Sequence, residues 1–293
     1  MQILIPHLWY DTEAREAVER YTSLFPDSGL DWSYTITDTP SGDAEMIHFH
    51  LGDTTMAAIS AGPYFQLNES ISLMIDLSSK EELNRIYKGL MDGGRELMPL
   101  DEYDFSPYYA WVGDKYGLSW QLSYNPEITE SFRVSFCLLF SEDQVGLAEN
   151  ALKTYQEYFV GSYVERISYY QSGEALLEEA KINYSQLRIG NQDLILMDHG
   201  YGGENSFNEA FSFMLLVDTQ EEADAYYEHL SAVPEAEICG WTKDTYGVSW
   251  QIVPRMMMAS QLTSSQEKMQ TLNQAILKMK RLDIAEIEKL LNS

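Results

Sequence analysis

The sequence of 293 residues predicts an α+β fold built as a tandem duplication of paired βαβββ modules, four modules in two domains, followed by C-terminal helices. The first observation is that WVGDKYGLSWQL at 111–122 returns as WTKDTYGVSWQI at 241–252. The second is that NESISLMIDLSSKEEL at 68–83 returns as NEAFSFMLLVDTQEEA at 208–223. The third is that strand-like and helix-like periodicities alternate in the same order twice within one copy. One copy therefore contains two modules.

The first module begins with a strand at 3–10 and an amphipathic helix at 13–25, where apolar residues recur at spacings of three and four. The three strands that follow are expected at 31–37, 44–51 and 54–60. The last two are joined by Gly52 and Asp53, which suit a tight hairpin.

The second module repeats this order. A strand at 70–77 precedes a helix from 79, which a capping box from Ser78 to Glu81 opens. Three strands are expected near 95–98, 107–112 and 118–124. The second copy follows the same scheme, with Asp218 and Glu221 in the capping box, although it is ten residues shorter after the helix.

The duplication divides the chain into a first domain at 1–127, a second at 128–254 and a C-terminal segment at 255–293. In this segment Ser264 with Glu267, and Asp283 with Glu286, form two more capping boxes, so two helices are expected. They carry an apolar stripe of Met269, Leu272, Ile276 and Met279. We expect this stripe to pack on the second domain. The alternative is that a Met-rich stripe binds a partner protein.

Composition narrows the class of protein. The formal charge of −27 disfavours nucleic acid as a partner, because it repels a phosphate backbone. The sequence shows neither a signal peptide nor an apolar run long enough to span a membrane, so we expect a cytoplasmic protein. Cys137 and Cys239 lie in apolar surroundings without a CxxC pattern, which predicts free thiols rather than a disulfide or a zinc site.

Several motifs together resemble the PhnB-like branch of the vicinal oxygen chelate superfamily, which includes glyoxalases, bleomycin-resistance proteins and dioxygenases. They are the opening PHLWYDTEAREAVERYTSLFPDS at 6–28, the strand after NES or NEA, the D-x-Y-G-x-S-W-Q hairpin, and the Met-rich tail with Leu282-Asp283-Ile284. The resemblance covers nearly the whole chain. It implies cup-shaped sheets, each formed by two modules, with a small-molecule pocket on the concave face. Members of this branch often carry the label 3-demethylubiquinone-9 3-methyltransferase.

The methyltransferase label makes a prediction about the chain, because a nucleotide-type methyl donor requires a strand, a glycine-rich turn and then a helix. LILMDHGYGGEN at 194–205 supplies the strand and the glycines. A strand at 210–217 follows where the helix is required, and the first copy has Gly62-Pro63 instead. We therefore interpret 194–205 as a loop between modules.

The resemblance implies that metal-dependent relatives hold a divalent ion with side chains from the first and last strands of their modules. In the last strand, alternation places Trp120 under the helices and turns Ser119 and Gln121 toward the cup. The second copy should turn Ser249 and Gln251 the same way. By resemblance, Gln replaces the metal-binding glutamate of these relatives, and an amide is a weaker ligand for a divalent ion. A divalent metal cofactor is thereby disfavoured.

His7 lies on the first strand, where metal-dependent relatives carry a histidine, and its counterpart in the second copy is Cys137. His7 and Gln121 are the two candidate metal ligands, and neither establishes a metal site alone. His48 and His50 share one strand face, which we expect to meet solvent, because Ile47 and Phe49 take the buried face. A sequence-local partner that would activate either cysteine is absent.

The repeated hairpin residues favour structure over catalysis. Asp114 and Asp244 open the turn, and the glycine three residues later supplies the positive φ that a type I turn with a bulge requires. Trp111 and Trp241 either line the pocket or fill core. Asn68-Glu69 and Asn208-Glu209 either bind a ligand or cap the strand that follows. The pocket candidates are His7, Trp9, Tyr109, Trp111, Ser119, Gln121, Trp241, Ser249 and Gln251.

Two function classes remain open from the sequence. One is a glyoxalase-like enzyme, a metal-assisted lyase, isomerase or transferase acting on an oxygen-rich small molecule. The other is a non-catalytic binding or sequestration protein of the bleomycin-resistance type, with aromatic walls that stack on a ligand. Neither class names the ligand. Because two fused copies mimic a dimer of single-domain relatives, we expect a monomer.

Overall fold

The computed structural model describes residues 3–292, which form fifteen β-strands and seven α-helices. The α+β class and the repeated modules are confirmed. Within this described range no helix is long and apolar enough to cross a membrane.

The first two modules follow the predicted order, and their boundaries differ from the predicted ones by a few residues. The first consists of β1 (Leu4–Tyr10), α1 (Ala14–Leu24), β2 (Gly29–Thr39), β3 (Gly42–Leu51) and β4 (Thr54–Ser60). The second consists of β5 (Ile71–Leu77), α2 (Lys80–Leu90), β6 (Arg95–Tyr103), β7 (Ser106–Gly113) and β8 (Ser119–Tyr124). The capping residue of α2 is Ser79, whose side chain accepts the backbone N–H of Glu82, rather than Ser78.

The second copy contains one strand fewer than predicted. The third module has β9 (Phe132–Phe140), α3 (Ala148–Tyr158), β10 (Tyr163–Tyr169), β11 (Ile182–Ile189) and β12 (Gln192–Asp198). The fourth has β13 (Phe211–Val217), α4 (Gln220–Leu230), β14 (Trp241–Lys243) and β15 (Ser249–Pro254). The shortening after α4 removes the counterpart of β6, so the prediction of three strands there is wrong. Thr219, rather than Asp218, caps α4.

The two sheets combine modules from both copies. One sheet has seven strands in the order β14-β15-β13-β1-β4-β3-β2, which joins the first module to the fourth. The other has eight strands in the order β10-β11-β12-β9-β5-β8-β7-β6, which joins the second module to the third. The copies at 1–127 and 128–254 therefore each contribute one module to each sheet.

One apolar core lies between the inner faces of the two sheets and includes residues of α1 to α4. Phe136 of the eight-stranded sheet lies 5.5 Å from Phe213 of the seven-stranded sheet, measured between ring centroids. Trp120 and Trp250 are fully buried in this core, as strand alternation predicts. The opposite side of each sheet, here called its outer face, carries the alternate residues of the same strands.

In each copy, a buried aspartate carboxylate bonds both its own hairpin turn and a helix of the preceding module. The Oδ1 of Asp114 accepts the backbone N–H groups of Tyr116 and Leu118, and its Oδ2 accepts the Tyr21 hydroxyl of α1 and the Trp120 indole. Asp244 repeats all four bonds in the second copy. Gly117 has φ of +89°, as the bulged turn requires. The structural interpretation of these motifs is confirmed.

Two asparagines tie the inter-module loops together reciprocally. Asn68 donates its amide to the carbonyl of Ser206, and Asn208 donates to the carbonyl of Gln66. The Oδ1 of each also accepts the N–H two residues later, at the entry to β5 or β13. Of the two alternatives left open, strand capping is therefore observed.

The C-terminal segment forms three helices rather than two: α5 (Arg255–Thr263), α6 (Gln266–Ile276) and α7 (Ile284–Asn292). Ser265, rather than Ser264, caps α6, whereas Asp283 accepts the N–H of Glu286 as predicted. These helices pack on the outer face of the seven-stranded sheet through Met257, Met269, Leu272 and Ile287. Gln261 also donates to the Tyr34 hydroxyl, so the contact includes the first module as well as the fourth.

The chain between α6 and α7 borders the sheet edge where the fourth module lacks a strand. The backbone N–H of Cys239 donates to the carbonyl of Met279 at 2.8 Å, and that of Gly240 donates to the carbonyl of Lys280 at 2.9 Å. Arg281 pairs with Glu237 beside these bonds. The C-terminal segment thus satisfies backbone groups beside β14 and covers the outer face of the same sheet.

Candidate functional site

The outer face of the eight-stranded sheet centres on the side chain of Gln121. The Tyr109 hydroxyl donates to Gln121 Oε1 at 2.7 Å, and Gln121 Nε2 donates to the Ser72 hydroxyl at 2.8 Å. β8 pairs with β5 and β7, which brings these three side chains together. Because both ends of the amide are bonded, its orientation is fixed.

An aromatic group adjoins this amide. Trp111, partly exposed, donates its indole N–H to the Ser119 hydroxyl at 2.8 Å. Tyr103 and Phe105, at the β6–β7 hairpin, have ring centroids 5.8 and 5.0 Å from that of Tyr109. Phe105 is 67% exposed, so this group runs from the buried amide out to solvent. We call Tyr103, Phe105, Tyr109 and Trp111 the aromatic wall.

Cys137 lies on β9, beside Ser72 in the strand register, and is fully buried. Burial raises the pKa of its thiol to about 12, and its Sγ lies 3.6 Å from Met197 Sδ. At neutral pH the thiol is therefore protonated and is a poor nucleophile. The expectation of a buried free thiol is met for Cys137, whereas Cys239 is only partly buried.

The outer face of the seven-stranded sheet holds two buried histidines. His7 lies opposite Ser212 and Ala57 in the register and is 1% exposed, and among the described residues neither of its ring nitrogens has a hydrogen-bond partner. His48 stacks on Trp32 with centroids 3.8 Å apart, and its Nδ1 also lacks a partner. Burial lowers the pKa of each imidazole to about 3.

The prediction that His48 and His50 both meet solvent is wrong for His48, which is 2% exposed. The outer face is not a solvent face at this point, because Trp32 stacks on the ring and the C-terminal helices pack on the same side of the sheet. His50, two residues further along β3, bonds Asp31 and is partly exposed.

Four further pocket candidates lie on the same sheet as His7. Trp241 meets the His7 ring edge-on, with centroids 5.5 Å apart, and the centroid of Trp9 lies 6.4 Å from that of Trp241. Gln251 donates its amide to the Ser212 hydroxyl at 3.0 Å, as Gln121 does to Ser72. The Ser119 hydroxyl accepts a hydrogen bond from Trp111, whereas the Ser249 hydroxyl has no hydrogen-bond partner in the described part of the chain.

The structure thus divides the nine pocket candidates into two groups on opposite sides of the molecule. Tyr109, Trp111, Ser119 and Gln121 lie on the eight-stranded sheet, whereas His7, Trp9, Trp241, Ser249 and Gln251 lie on the seven-stranded sheet. The two candidate metal ligands, His7 and Gln121, therefore lie on different sheets. They cannot bind one ion together.

The residues at the centre of either face do not fit a divalent metal ion. First and last strands contribute His7, Ser212, Ala57 and Gln251 on one sheet, and Cys137, Ser72, Ile195 and Gln121 on the other. Each set has at most one strong ligand type and no carboxylate to offset the ion's charge. Among residues 3–292, no group of three or more His, Cys, Asp or Glu side chains is arranged to hold a metal.

The segment at 194–205 begins in β12, and its glycine-rich part after Asp198 is a loop between modules, as predicted. It leaves β12 at Asp198 and leads to β13 without an intervening helix. The buried Asp198 carboxylate accepts the backbone N–H groups of Gly146, Ala148, Lys181 and Ile182. Asp198 therefore has a structural role, and the strand–turn–helix arrangement of a nucleotide-type donor site is not formed here.

Two open surface depressions are lined by residues other than the nine candidates, although Trp9 packs on Tyr64, which borders both. One, of about 430 Å³, is lined by residues that include Asp11, Asp43 and Glu45. The other, of about 470 Å³, lies over the asparagine-tied loops and includes Glu69 and Arg95. Their linings share none of the candidate residues.

A family model described as 3-demethylubiquinone-9 3-methyltransferase matches residues 2–123 and 133–253, one match in each copy. The chain belongs to this family. The predicted relationship to the PhnB-like branch, whose members often carry this label, is thereby confirmed. The curated proteins gave no match to the chain.

Among solved structures, a putative 3-demethylubiquinone-9 3-methyltransferase, PhnB protein, from Bacillus cereus is 29% identical over 42% of this chain and 100% of its own, with a TM-score of 0.40. A protein from Staphylococcus aureus is 32% identical over 43% of this chain and 100% of its own, with a TM-score of 0.19. Glyoxalase I from Zea mays is 12% identical over 89% of this chain and 95% of its own, with a TM-score of 0.58. The last likeness shows a shared fold across both copies.

Sequence reasoning missed several residues of both faces. Ser72 and Met197 were not singled out, although Ser72 has a counterpart, Ser212, in the second copy at the offset of the repeat. Tyr103 and Phe105 belong to the hairpin that the second copy lacks. That difference between the copies was visible in the sequence and was the available signal for the aromatic wall.

Proposed function

We propose that the protein binds a small, flat, uncharged organic molecule on the outer face of the eight-stranded sheet and does so without a metal ion. The observation that carries the proposal is the Gln121 amide, fixed by Tyr109 and Ser72 at the foot of the aromatic wall. A fixed amide beside stacking surfaces is typical of ligand sites that orient a planar molecule. The protein is then a binding or sequestration protein.

The two faces differ in ways that favour one site rather than two. The C-terminal helices pack on the seven-stranded sheet, where Met257 and Leu272 take part in an apolar cluster with sheet residues. Partly exposed residues remain on the eight-stranded face, among them Met74, Trp111 and Met197. The aromatic hairpin is also present only on the eight-stranded sheet.

Binding is favoured over catalysis because the groups around Gln121 are poorly suited to proton transfer at neutral pH. Burial raises the pKa of Tyr109 well above its ordinary value, and it raises the pKa of Cys137 to about 12. Gln121 itself does not titrate. A general acid or base works best with a pKa near the operating pH, which none of these three groups has.

The metal-assisted enzyme and the methyltransferase are not proposed. The first requires a ligand set that neither face provides, and the second requires a donor-binding turn that 194–205 does not form. We therefore do not propose methyl transfer for this chain on the strength of the family's descriptive name.

The test is a binding screen with a matched pair of variants. A panel of neutral bicyclic heteroaromatics, such as indole and quinoline, is screened by thermal shift, and each hit is titrated by calorimetry. At about one hundred times its Kd, a ligand should stabilise the fold by about 2.7 kcal/mol.

Gln121→Ala should weaken the hit by about tenfold or more, while Gln251→Ala, the equivalent change under the C-terminal helices, should leave it unchanged. Equal losses in both variants, or a loss in Gln251→Ala alone, would place the ligand elsewhere and refute the proposal. A hit that binds only after a divalent metal is added would refute the metal-free part.

A further inference from the structure

A row of side chains crosses the outer face of the eight-stranded sheet, from the fixed amide toward the third module. Met74 on β5 is the register partner of both Gln121 on β8 and Ser135 on β9. Because the strand residues on either side of each of these three lie in the core, the three side chains share the outer face. Strands lie about 4.8 Å apart, so the Cα atoms at the two ends of this row are separated by about 10 Å.

The hydroxyl of Ser135 is available to a molecule from outside the chain. Ser135 is 7% exposed, and among the described residues no hydrogen bond joins its side chain to another group. Other hydroxyls of this face do have partners, since Ser72 accepts the Gln121 amide and Ser119 accepts the Trp111 indole. Polar groups that are nearly buried are almost always hydrogen-bonded, so a partner from outside the chain is expected at Ser135.

The equivalent row on the seven-stranded sheet has an apolar residue at this position. There Met214 is the register partner of both Gln251 and Ile5, so Ile5 takes the place of Ser135. Ile5 and Met214 are buried in the apolar cluster that includes the C-terminal helices. Met74, the counterpart of Met214, is partly exposed. The covered face is thus apolar where the other face offers a hydroxyl.

An acidic side chain continues the row beyond Ser135. Asp193 on β12 lies beside Ser135, because Leu194 and Phe136, one residue later on each of these parallel strands, are register partners. The Asp193 side chain is 3% exposed, and its Oδ1 lies 2.9 Å from Nε of Arg188 on β11, the neighbour of β12 on the side away from β9. A carboxylate only accepts hydrogen bonds, so this end of the row favours a donor.

The cations near this end of the row already have acidic partners. Arg188 pairs with Glu165 as well as with Asp193, and Arg133, two residues before the free hydroxyl on β9, pairs with Glu130. An anionic ligand group would therefore compete with carboxylates for each guanidinium. An uncharged donor fits this end of the row better than an anion does.

Met74 forms the floor between the two polar ends. A thioether packs favourably against an aromatic ring, and that of Met74 is partly exposed. At one end, Gln121 uses one acceptor position for Tyr109 and one donor for Ser72, which leaves a second of each. A planar ring over Met74 therefore meets the amide with one edge and the Ser135 hydroxyl with the opposite edge.

We propose that the ligand of this face is a neutral bicyclic heteroaromatic amine, whose ring nitrogen meets Gln121 and whose amino group, at the opposite end, donates to Ser135 beside Asp193. This ligand class rests on the proposed function and names what the same site selects. An amino group on an aromatic ring is uncharged at neutral pH, so it donates without bringing a charge onto the face. Ser135 then determines specificity among planar ligands, whereas Gln121 and the aromatic wall bind the ring.

The test titrates the full chain with quinoline, 6-aminoquinoline and 8-aminoquinoline by calorimetry. The amino group of 6-aminoquinoline lies at the far end of the bicycle from the ring nitrogen, whereas that of 8-aminoquinoline lies beside it. We expect 6-aminoquinoline to bind about five- to tenfold more tightly than quinoline, because it adds one hydrogen bond at a nearly buried hydroxyl. The other isomer should bind no more tightly than quinoline.

A pair of serine variants assigns this preference to one hydroxyl. Ser135→Ala should abolish the preference for 6-aminoquinoline and leave the affinity for quinoline unchanged. Ser123→Ala is the matched control, because Ser123 is on the same face but its hydroxyl is bonded to that of Ser106 at 3.0 Å. This variant should keep the preference. Each change removes a single oxygen atom, and the unfolding midpoint of each variant shows that it folds.

The outcomes separate the ligand class from the proposed function. If neither the quinolines nor the rest of the panel bind the unchanged chain, both are refuted. Quinoline binding that Gln121→Ala abolishes, together with equal affinities for the two aminoquinolines, overturns the ligand class alone. A preference that survives in Ser135→Ala, or tighter binding of quinoline-6-carboxylate than of 6-aminoquinoline, overturns it as well.

Discussion

His7 and Cys137 occupy the same position in the two sheets. His7 lies opposite Ser212 and Ala57, and Cys137 lies opposite Ser72 and Ile195, in each case between an antiparallel and a parallel neighbour. The duplication has therefore kept the scaffold and changed the side chain at its centre. One face now holds an imidazole beneath added helices, whereas the other holds a thiol beside a fixed amide.

The Tyr155 hydroxyl should contribute measurably to stability. It donates to the buried Asp244 carboxylate at 2.7 Å, and hydrogen bonds to charged groups contribute about 1.5–3 kcal/mol. Tyr155→Phe is expected to lower the free energy of unfolding in urea by that amount. Tyr201→Phe, at a residue that is 61% exposed, should change it by less than about 0.5 kcal/mol. Equal effects of the two variants would argue against the buried network.

Asp244 should make stability depend on pH. Burial raises its pKa from 3.8 to about 6, so its contribution is complete below the unfolded pKa and is lost as pH rises through the folded pKa. The stability of the unchanged chain relative to Asp244→Asn should fall by at most about 3 kcal/mol between about pH 4 and about pH 7. Urea unfolding of both proteins at the two pH values measures this change. A relative stability that rises with pH would contradict the assignment.

Gly240 should be needed for docking of the C-terminal segment. Its φ is +89°, and an added Cβ would lie 3.0 Å from Leu282 Cδ1 and 3.1 Å from the carbonyl oxygen of Ile252. Gly173 has a similar φ of +86° but no neighbour within 4 Å. Both alanine variants carry the backbone strain, whereas only Gly240→Ala adds the clash. Hydrogen exchange should show faster exchange at the Cys239 amide in that variant alone, and the same rate in both variants would count against the docking contact.

Leu272 should anchor α6 on the seven-stranded sheet. It is fully buried in the apolar cluster of that face, so Leu272→Ala is expected to cost about 2–5 kcal/mol in chemical denaturation. Leu176→Ala, at a residue that is 75% exposed, is the control and should cost little. A small effect at Leu272 would mean that the helices are not docked in solution.

The chain is expected to be a monomer, because two modules from each copy already complete both sheets within one molecule. Light scattering coupled to size exclusion should give the mass of one chain across a wide range of concentrations. A stable dimer would contradict this prediction.

Much of the fold was predictable because the repeat and the local periodicities are properties of neighbouring residues. Alternation along β8 correctly assigned Trp120 to the core and Gln121 to the outer face. Local patterns could not predict which modules share a sheet. The edge of β5 can pair with the first strand of any other module, and nothing in its own sequence selects one of them. Only the assembled sheet shows that it pairs with β9 rather than β1.

The site was predicted less completely, because its content depends on contacts between distant segments. His48 was expected at solvent from the pattern of β3 alone, and the helices that pack on the same face lie more than 200 residues later. The Met-rich stripe was expected to pack on the second domain, whereas the surface that it contacts combines the first module with the fourth. Local patterns do not contain that information.

The proposal places the ligand on the eight-stranded sheet, while the C-terminal helices cover the seven-stranded sheet. The most direct measurement is a crystal of the full chain soaked with neutral bicyclic heteroaromatic fragments. Density for a fragment against Trp111 and the Gln121 amide, with the helices still docked over His7, is the predicted result. Fragments bound beside Trp241 and Gln251, with the helices displaced, would show that the ligand site lies on the seven-stranded sheet instead.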